Sequence, residues 1–263
     1  MSMPIYQVDA FTDKPFAGNP AGVCLLGEER PDAWLQAVAR EMNLSETAFL
    51  QPEGDGYRLR WFTPAVEVAL CGHATLASAH VLWTEGRAGR DEPLRFHTRS
   101  GLLGARLEGN WIELDFPARP ERPIDPPPGL AEALGVSPVY VGLNVDDLLV
   151  LVAKAATVRH LQPDIPALAR LEARGIVVTA PGDEAGIDFV SRFFAPAVGV
   201  PEDPVTGSAH CCLGPFWRAR LGRDELVGYQ ASARGGVVKV KVCGDRVKLL
   251  GQAVTVLRGE LLA

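Results

Sequence analysis

What most constrains this sequence is that part of it is written twice. Sliding Glu46 to Val68 onto Val178 to Val200, at a constant offset of 132, pairs 23 positions without a gap, and 9 of them are identical. The densest part sets Arg60-Trp61-Phe62-Thr63-Pro64-Ala65-Val66-Glu67-Val68 against Arg192-Phe193-Phe194-Ala195-Pro196-Ala197-Val198-Gly199-Val200. After a three-residue shift, Arg99-Ser100-Gly101 lies on Arg234-Gly235-Gly236 and Gly109-Asn110 on Gly244-Asp245. Both of the latter pairs interrupt alternating segments, Leu103 to Leu114 and Val238 to Leu249, which is a hairpin signal. The offset of 132 also matches Pro31-Asp32 to Pro163-Asp164, each opening a helix. One hairpin could resemble another by chance, but collinear matches point to duplication.

A duplicated chain of 263 residues has room for two halves of ordinary domain size. The spacing places them at 1–118 and 119–263, joined through the proline-rich stretch Pro117 to Pro128, with the last residues free to cross back to the first half. Within the first half the pattern predicts a strand over Ile5 to Ala10, a helix over Pro31 to Met42 and a strand pair over Thr47 to Gln51 and Tyr57 to Phe62. A turn at Cys71-Gly72, a helix over Leu76 to Thr84 and a hairpin over Leu102 to Phe116 follow. The matching second helix runs Ser208 to Arg220 and stops at Gly222, as a glycine just past a helix end should. The fold class this implies is α+β, with a mixed or antiparallel sheet wrapped around a central helix in each half.

Composition excludes several function classes. With 47% hydrophobic and 22% charged residues the chain has the balance of a globular protein. A net charge of −6 and the lack of a Lys/Arg cluster argue against nucleic acid, leaving a small molecule as the expected ligand. The N-terminus lacks the features of a signal peptide and no run of 18 apolar residues occurs, so no membrane association and a cytoplasmic location are expected. The cysteines Cys24, Cys71, Cys211, Cys212 and Cys243 show no C-x-x-C spacing and the histidines no H-x-x-x-H spacing, so no metal is expected.

Duplicated halves share scaffold, so chemistry is sought where they differ. At offset 132, Cys71 falls opposite Asp203 and Glu46 opposite Val178, leaving a carboxylate at that place in the first half alone. The turns Leu70-Cys71-Gly72-His73-Ala74-Thr75 and Glu202-Asp203-Pro204-Val205-Thr206-Gly207-Ser208-Ala209-His210 both lead into helices. Free N–H groups at such starts suit a carboxylate, although Thr206-Gly207-Ser208 is equally the composition of a plain helix cap. Pseudo-symmetry would bring the two turns face to face across a cleft. Glu46 precedes the apolar Ala48-Phe49, where desolvation raises a carboxyl pKa toward the range useful for proton transfer. His73 could polarise a substrate or relay a proton.

At these residues the chain resembles a known family. Gly18-Asn19-Pro20-Ala21, Asn43-Leu44-Ser45-Glu46-Thr47-Ala48-Phe49, Cys71-Gly72-His73-Ala74-Thr75 and Glu202-Asp203-Pro204-Val205-Thr206-Gly207-Ser208-Ala209 are similar, in order and spacing, to the motifs of the PhzF-like phenazine-biosynthesis family of the diaminopimelate-epimerase superfamily. The resemblance implies two pseudo-symmetric halves, a homodimer, no cofactor, and an isomerase that moves a proton on a small carboxylated amine or enamine. It implies Glu46 as the acid/base group and His73 and Asp203 as its catalytic companions. Gly72, Gly207 and Ser208 would bind substrate, with Asn19 and Cys71 beside them. The epimerase itself works with a cysteine from each half; here Cys71 faces Asp203, which speaks against a two-thiol racemase. An amino-acid epimerase and a carboxylate-binding module without activity stand as the alternatives.

Overall fold

Alternating apolar residues make strands the main element of this chain, and the computed structural model, described for residues 3–262, contains eighteen strands and six α-helices over that range, with one short 3-10 helix at Pro196–Val198. They separate into two units. One runs up to Asp115 and takes in the chain from Leu250 onward; the other runs from Phe116 to Leu249.

The first unit contains β1 (Met3–Ala10), β2 (Asn19–Leu25), α1 (Asp32–Met42), β3 (Glu46–Glu53), β4 (Gly56–Phe62), β5 (Glu67–Val68), α2 (Gly72–Thr84), β6 (Leu94–Thr98), β7 (Gly101–Glu108) and β8 (Trp111–Pro117). β1 is antiparallel to β2, β2 parallel to β3, β3 antiparallel to β4, β4 parallel to β6, and β6 and β7 continue antiparallel toward β8. A parallel pair needs a crossover, and α1 and α2 supply the two that are required. α1 buries Leu35, Val38 and Ala39 at helical spacing and ends at Asn43, whose φ of 50° is the left-handed conformation that stops a helix. α2 has no polar face and is buried from His73 to Ala79, so it is a core helix, packed on β1, β2 and β3. Its start lies a full turn before Leu76. Thr75 and Ser78 are compatible with that burial because their hydroxyls donate to the carbonyls of Cys71 and Ala74, at 2.6 and 2.7 Å.

The second unit contains β9 (Arg122–Pro123), α3 (Leu130–Leu134), β10 (Tyr140–Leu143), β11 (Asp147–Leu151), α4 (Ala155–Arg159), α5 (Ile165–Leu168), β12 (Gly175–Pro181), β13 (Phe189–Ala195), β14 (Val200–Asp203), α6 (Gly207–Leu221), β15 (Glu225–Gln230), β16 (Gly236–Cys243) and β17 (Arg246–Gly251). β10 is antiparallel to β11, β11 parallel to β12, β12 antiparallel to β13, β13 parallel to β15, and β15 antiparallel to β16. This is the strand order and sense of the first unit, repeated. Asp164 caps α5 by accepting from the N–H of Ala167 at 2.9 Å. Inside α6, Pro215 has no N–H to give to Cys211, and the N–H of Arg119 donates to that carbonyl instead, at 3.0 Å. The last strand, β18 (Ala253–Leu261), belongs to the first unit and lies antiparallel to β1, from Met3 opposite Leu261 to Ala10 opposite Ala253.

The duplication extends to side chains. Arg60 holds Glu67 through Nε and Nη2 at 2.7 and 2.8 Å, and Arg192 holds Glu202 through the same atoms at the same distances. Each guanidinium also lies over a phenylalanine, Phe62 or Phe194, at 5.0 and 4.9 Å. These pairs correct the constant offset. Glu67 occupies the place of Glu202, Cys71 and Thr206 are both extended residues capping the following helices, and Gly72 and His73 take the places of Gly207 and Ser208. Asp203 is therefore not the counterpart of Cys71. The strands shift too: Thr47 stands across from Phe62 where Ile176 stands across from Phe194, so Glu46 takes the place of Gly175 and not of Val178. An odd slip of this kind turns a residue to the other face of the sheet, so the distinction decides which side chains are comparable.

Candidate active site

In the first unit the start of β3 and the start of α2 meet. Glu46 opens β3, paired in parallel with Ala21 of β2, and its Oε2 lies 3.3 Å from Nε2 of His73, the second residue of α2. That approach falls short of hydrogen-bond geometry, although the distance is one at which a small reorientation makes the bond. On the other side of the ring, Sγ of Cys71 lies 3.5 Å from Nδ1. His73 is only 6% exposed, and burial pushes its pKa down to about 3, so the imidazole is neutral near pH 7. A neutral ring between a carboxyl and a thiol can hand a proton from one nitrogen while accepting at the other.

The carboxyl, thiol and imidazole ligand atoms all lie within 4.8 Å of one another, a grouping able to hold a metal ion. Linear spacing did not reveal this, because the residues come from a strand start and a helix start. Cys71 and Glu46 approach opposite nitrogens of the ring, so one ion could not use both contacts as they stand.

In the second unit, Asp203 ends β14 and accepts from the Thr206 hydroxyl at 2.5 Å. Gln230, fully buried on β15 and absent from the sequence-derived site, fastens this turn: its Nε2 donates to the Asp203 carbonyl at 2.8 Å and its Oε1 accepts from the Thr206 N–H at 2.9 Å. Ser208, the counterpart of His73, is met by Nη2 of Arg174 at 3.1 Å. Arg174 is itself held by Asp147, which is 2% exposed, through Nε at 2.8 Å and Nη2 at 2.5 Å. Gly207 is buried at the first position of α6. Neither Arg174 nor Asp147 carried a sequence signal, because they stand 27 positions apart and meet only where β11 pairs with the start of β12. Farther along α6, the His210 Nδ1–H donates to the Thr206 carbonyl at 2.8 Å, and burial holds that histidine's pKa down to about 4.

Of the remaining sequence-derived residues, Asn19 is buried at the start of β2, opposite Ala10, and Gly72 is the first residue of α2. Gly18 before Asn19 has a φ of 64°, and a side chain there would begin 2.2 Å from the Ala10 carbonyl oxygen. The glycine is therefore a requirement of the turn that delivers Asn19. Among the described residues no helix is long and apolar enough to cross a membrane.

The model of a family described as phenazine biosynthesis-like, PhzC-PhzF, matches residues 8–259. A protein of Halalkalibacterium halodurans, named as an uncharacterized isomerase, is 55% identical over 263 residues, covering 100% of this chain and 99% of the relative. The crystal structure of a PhzF-family phenazine biosynthesis protein from Enterococcus faecalis superposes with a TM-score of 0.96 at 43% identity, covering 100% of both chains. A structure from Pseudomonas aeruginosa described as a predicted epimerase superposes with a TM-score of 0.76 at 26% identity, again over 100% of both chains.

Proposed function

The chain belongs to the phenazine biosynthesis-like PhzC-PhzF family and is an isomerase with an epimerase-like fold, and from that premise we propose that it moves a proton on a small carboxylated amine or enamine by acid/base catalysis without a cofactor. The observation that carries this reading is the approach of Glu46 to the buried, neutral His73 at 3.3 Å. A general base must lie within reach of a proton it can take and return, and Glu46 stands beside this imidazole with its ligand atoms and those of Cys71 and His73 within 4.8 Å of one another. In this reading Glu46 removes and redelivers the substrate proton, His73 steadies the carboxyl and the reacting group, and Asp203, fixed by Thr206, contacts the amine or hydroxyl. Gly72, Gly207 and Ser208 contribute substrate contacts, with Asn19 and Cys71 shaping the surroundings.

Deuterium incorporation from heavy water into a panel of amino acids and cyclic enamine acids tests it. Glu46→Gln keeps the shape but cannot accept a proton, and exchange on the substrate found should fall by roughly 100-fold to 10,000-fold while binding persists. Undiminished exchange in that variant would refute the assignment.

A second reading, amino-acid epimerisation through a thiol, is favoured by the Cys71 Sγ contact with His73 Nδ1 at 3.5 Å. Cys71→Ser separates the two. It should cost about tenfold or less if Glu46 carries the proton, and nearly all activity if the thiol does.

A further inference from the structure

The contact between Cys71 and His73 has the dimensions of a metal-binding pair. Cys71 is extended, with φ −145° and ψ 112°, and its side chain makes no capping bond to α2. Its Sγ lies 3.5 Å from Nδ1 of His73. Zinc holds sulfur at about 2.3 Å and imidazole nitrogen at about 2.0–2.1 Å, and in a tetrahedron those bonds set the two donors about 3.5 Å apart. The pair already stands at that spacing, so an ion can join them without moving the backbone.

The other side of the ring supplies an independent observation. Nε2 of His73 is buried and has no hydrogen-bond partner among the described residues, yet Oε2 of Glu46 lies 3.3 Å from it. A histidine that binds a metal through one nitrogen carries its proton on the other and donates it to a carboxylate, which fixes the ring. With an ion on Nδ1, the proton sits on Nε2 and faces Glu46, so a buried orphan acquires its partner. Glu46 then orients a ligand and is not one itself, in keeping with its place at the opposite nitrogen. All three residues belong to the first unit. A sulfur with an imidazole selects a thiophilic ion such as zinc over magnesium or calcium, which take oxygen donors.

We propose that Cys71 and His73 form a binding site for a zinc ion, with Glu46 bracing the imidazole, and that filling this site turns the isomerase off. Binding makes one Zn–S and one Zn–N bond, breaks the S–H bond and releases that proton to solvent, with water completing the shell of the ion. No electron is transferred. Glu46, engaged as acceptor of the Nε2–H, is withdrawn from the substrate proton. The ion is here an inhibitor and serves no step of the reaction. The site rests on geometry alone, while its effect on turnover rests on the isomerase reading.

Cobalt(II) and zinc, added alone to the full chain, test the proposal. The exposed Cys243 is first replaced by serine so that a surface thiol does not compete. Cobalt should bind once per chain with a thiolate-to-cobalt charge-transfer band in the near ultraviolet, displaced by zinc and not by an excess of magnesium. A thiol that merely donated to the imidazole would give no such band. Cys71→Ser should abolish it, and His73→Gln should weaken binding at least about tenfold; should the first fail to fold in thermal melts, the second carries the same decision. Glu46→Gln should keep the band and lose about tenfold or more in affinity, as when a bracing carboxylate is removed. No band, a band that survives Cys71→Ser, displacement by magnesium, or unchanged affinity in His73→Gln or Glu46→Gln would each overturn the proposal. On a substrate found by deuterium exchange, saturating zinc should stop exchange and a chelator should restore it; exchange continuing at full occupancy overturns the inhibitory role. Persistent exchange in Glu46→Gln refutes the proton-transfer reading and leaves the cobalt band standing, whereas a missing band refutes the site and leaves that reading intact.

Discussion

The two units share a scaffold and differ in what they place at one strand start. Both keep the bidentate Arg–Glu pair, the arginine over a phenylalanine and the glycine at the helix start; where the first then sets Glu46 beside His73, the second sets Gly175, with Arg174 beside Ser208. The carboxylate has also changed strands. In the first unit it stands on β3, across from the small Ala21; in the second it is Asp147 on β11, across from Gly175, where it neutralises the arginine. Duplication preserved the backbone and the packing pairs, while the surroundings of this strand start diverged into a carboxyl beside an imidazole in one copy and a cation beside a hydroxyl in the other.

Acid should act on both copies and so show how far they remain alike. His73 and His210 are buried and neutral, with pKa values pushed down to about 3 and about 4, against about 6.5 for the unfolded chain. Between those values the unfolded state binds more protons than the native one, so this contribution to stability is complete above pH 6.5 and declines as pH falls toward 4. Thermal melts across pH 4 to 7 should show the midpoint falling steadily with acidification, and His210→Gln should flatten the slope. A midpoint independent of pH over that range would mean that neither histidine is held neutral.

A smaller effect is expected at Gly175. A methyl group there meets the Phe193 ring and lies 3.1 Å from Oδ1 of Asp147, so Gly175→Ala should cost about 1–3 kcal/mol through overpacking. The equivalent position in the first unit carries a full glutamate side chain without conflict. Chemical denaturation of Gly175→Ala with an unchanged midpoint would show that the second unit accommodates a side chain as the first does, and the packing contrast would fail.

The smallest expected effect is none at all. Glu46 and Cys71 address different nitrogens of His73, and acid/base chemistry needs no ion, so prolonged chelation should leave turnover unchanged. Loss of turnover restored by one divalent ion would convert this trio from a proton relay into a metal centre.

The sequence made the duplication, the central helices and the hairpins legible, because periodicity and glycine position report local backbone directly. It misplaced the alignment between the copies. Thr47-Ala48 and Thr179-Ala180 match by identity alone, while the ladders set Thr47 against Ile176; an extra three residues between Arg192 and Glu202, relative to Arg60 and Glu67, hid the second shift. Glu46, Cys71 and His73 were named from motif and context, and the structure brings these three together. Arg174, Asp147 and Gln230 were not found. Their partners are distant in sequence, and an arginine before a strand or a glutamine at a strand end carries no periodic or motif signal.

Because β18 lies against β1, the earliest and latest parts of the chain share one sheet, Ile5 standing across from Gly259. The whole of the second unit is synthesised between them, and domains generally fold as their chain emerges. The unit from Phe116 to Leu249 is contiguous, whereas the unit that holds β1 must wait, with β1 lacking one neighbour, for β18. The half that carries Glu46 thus completes its sheet only after β18 has been made, and until then β1 presents an unpaired edge on that side.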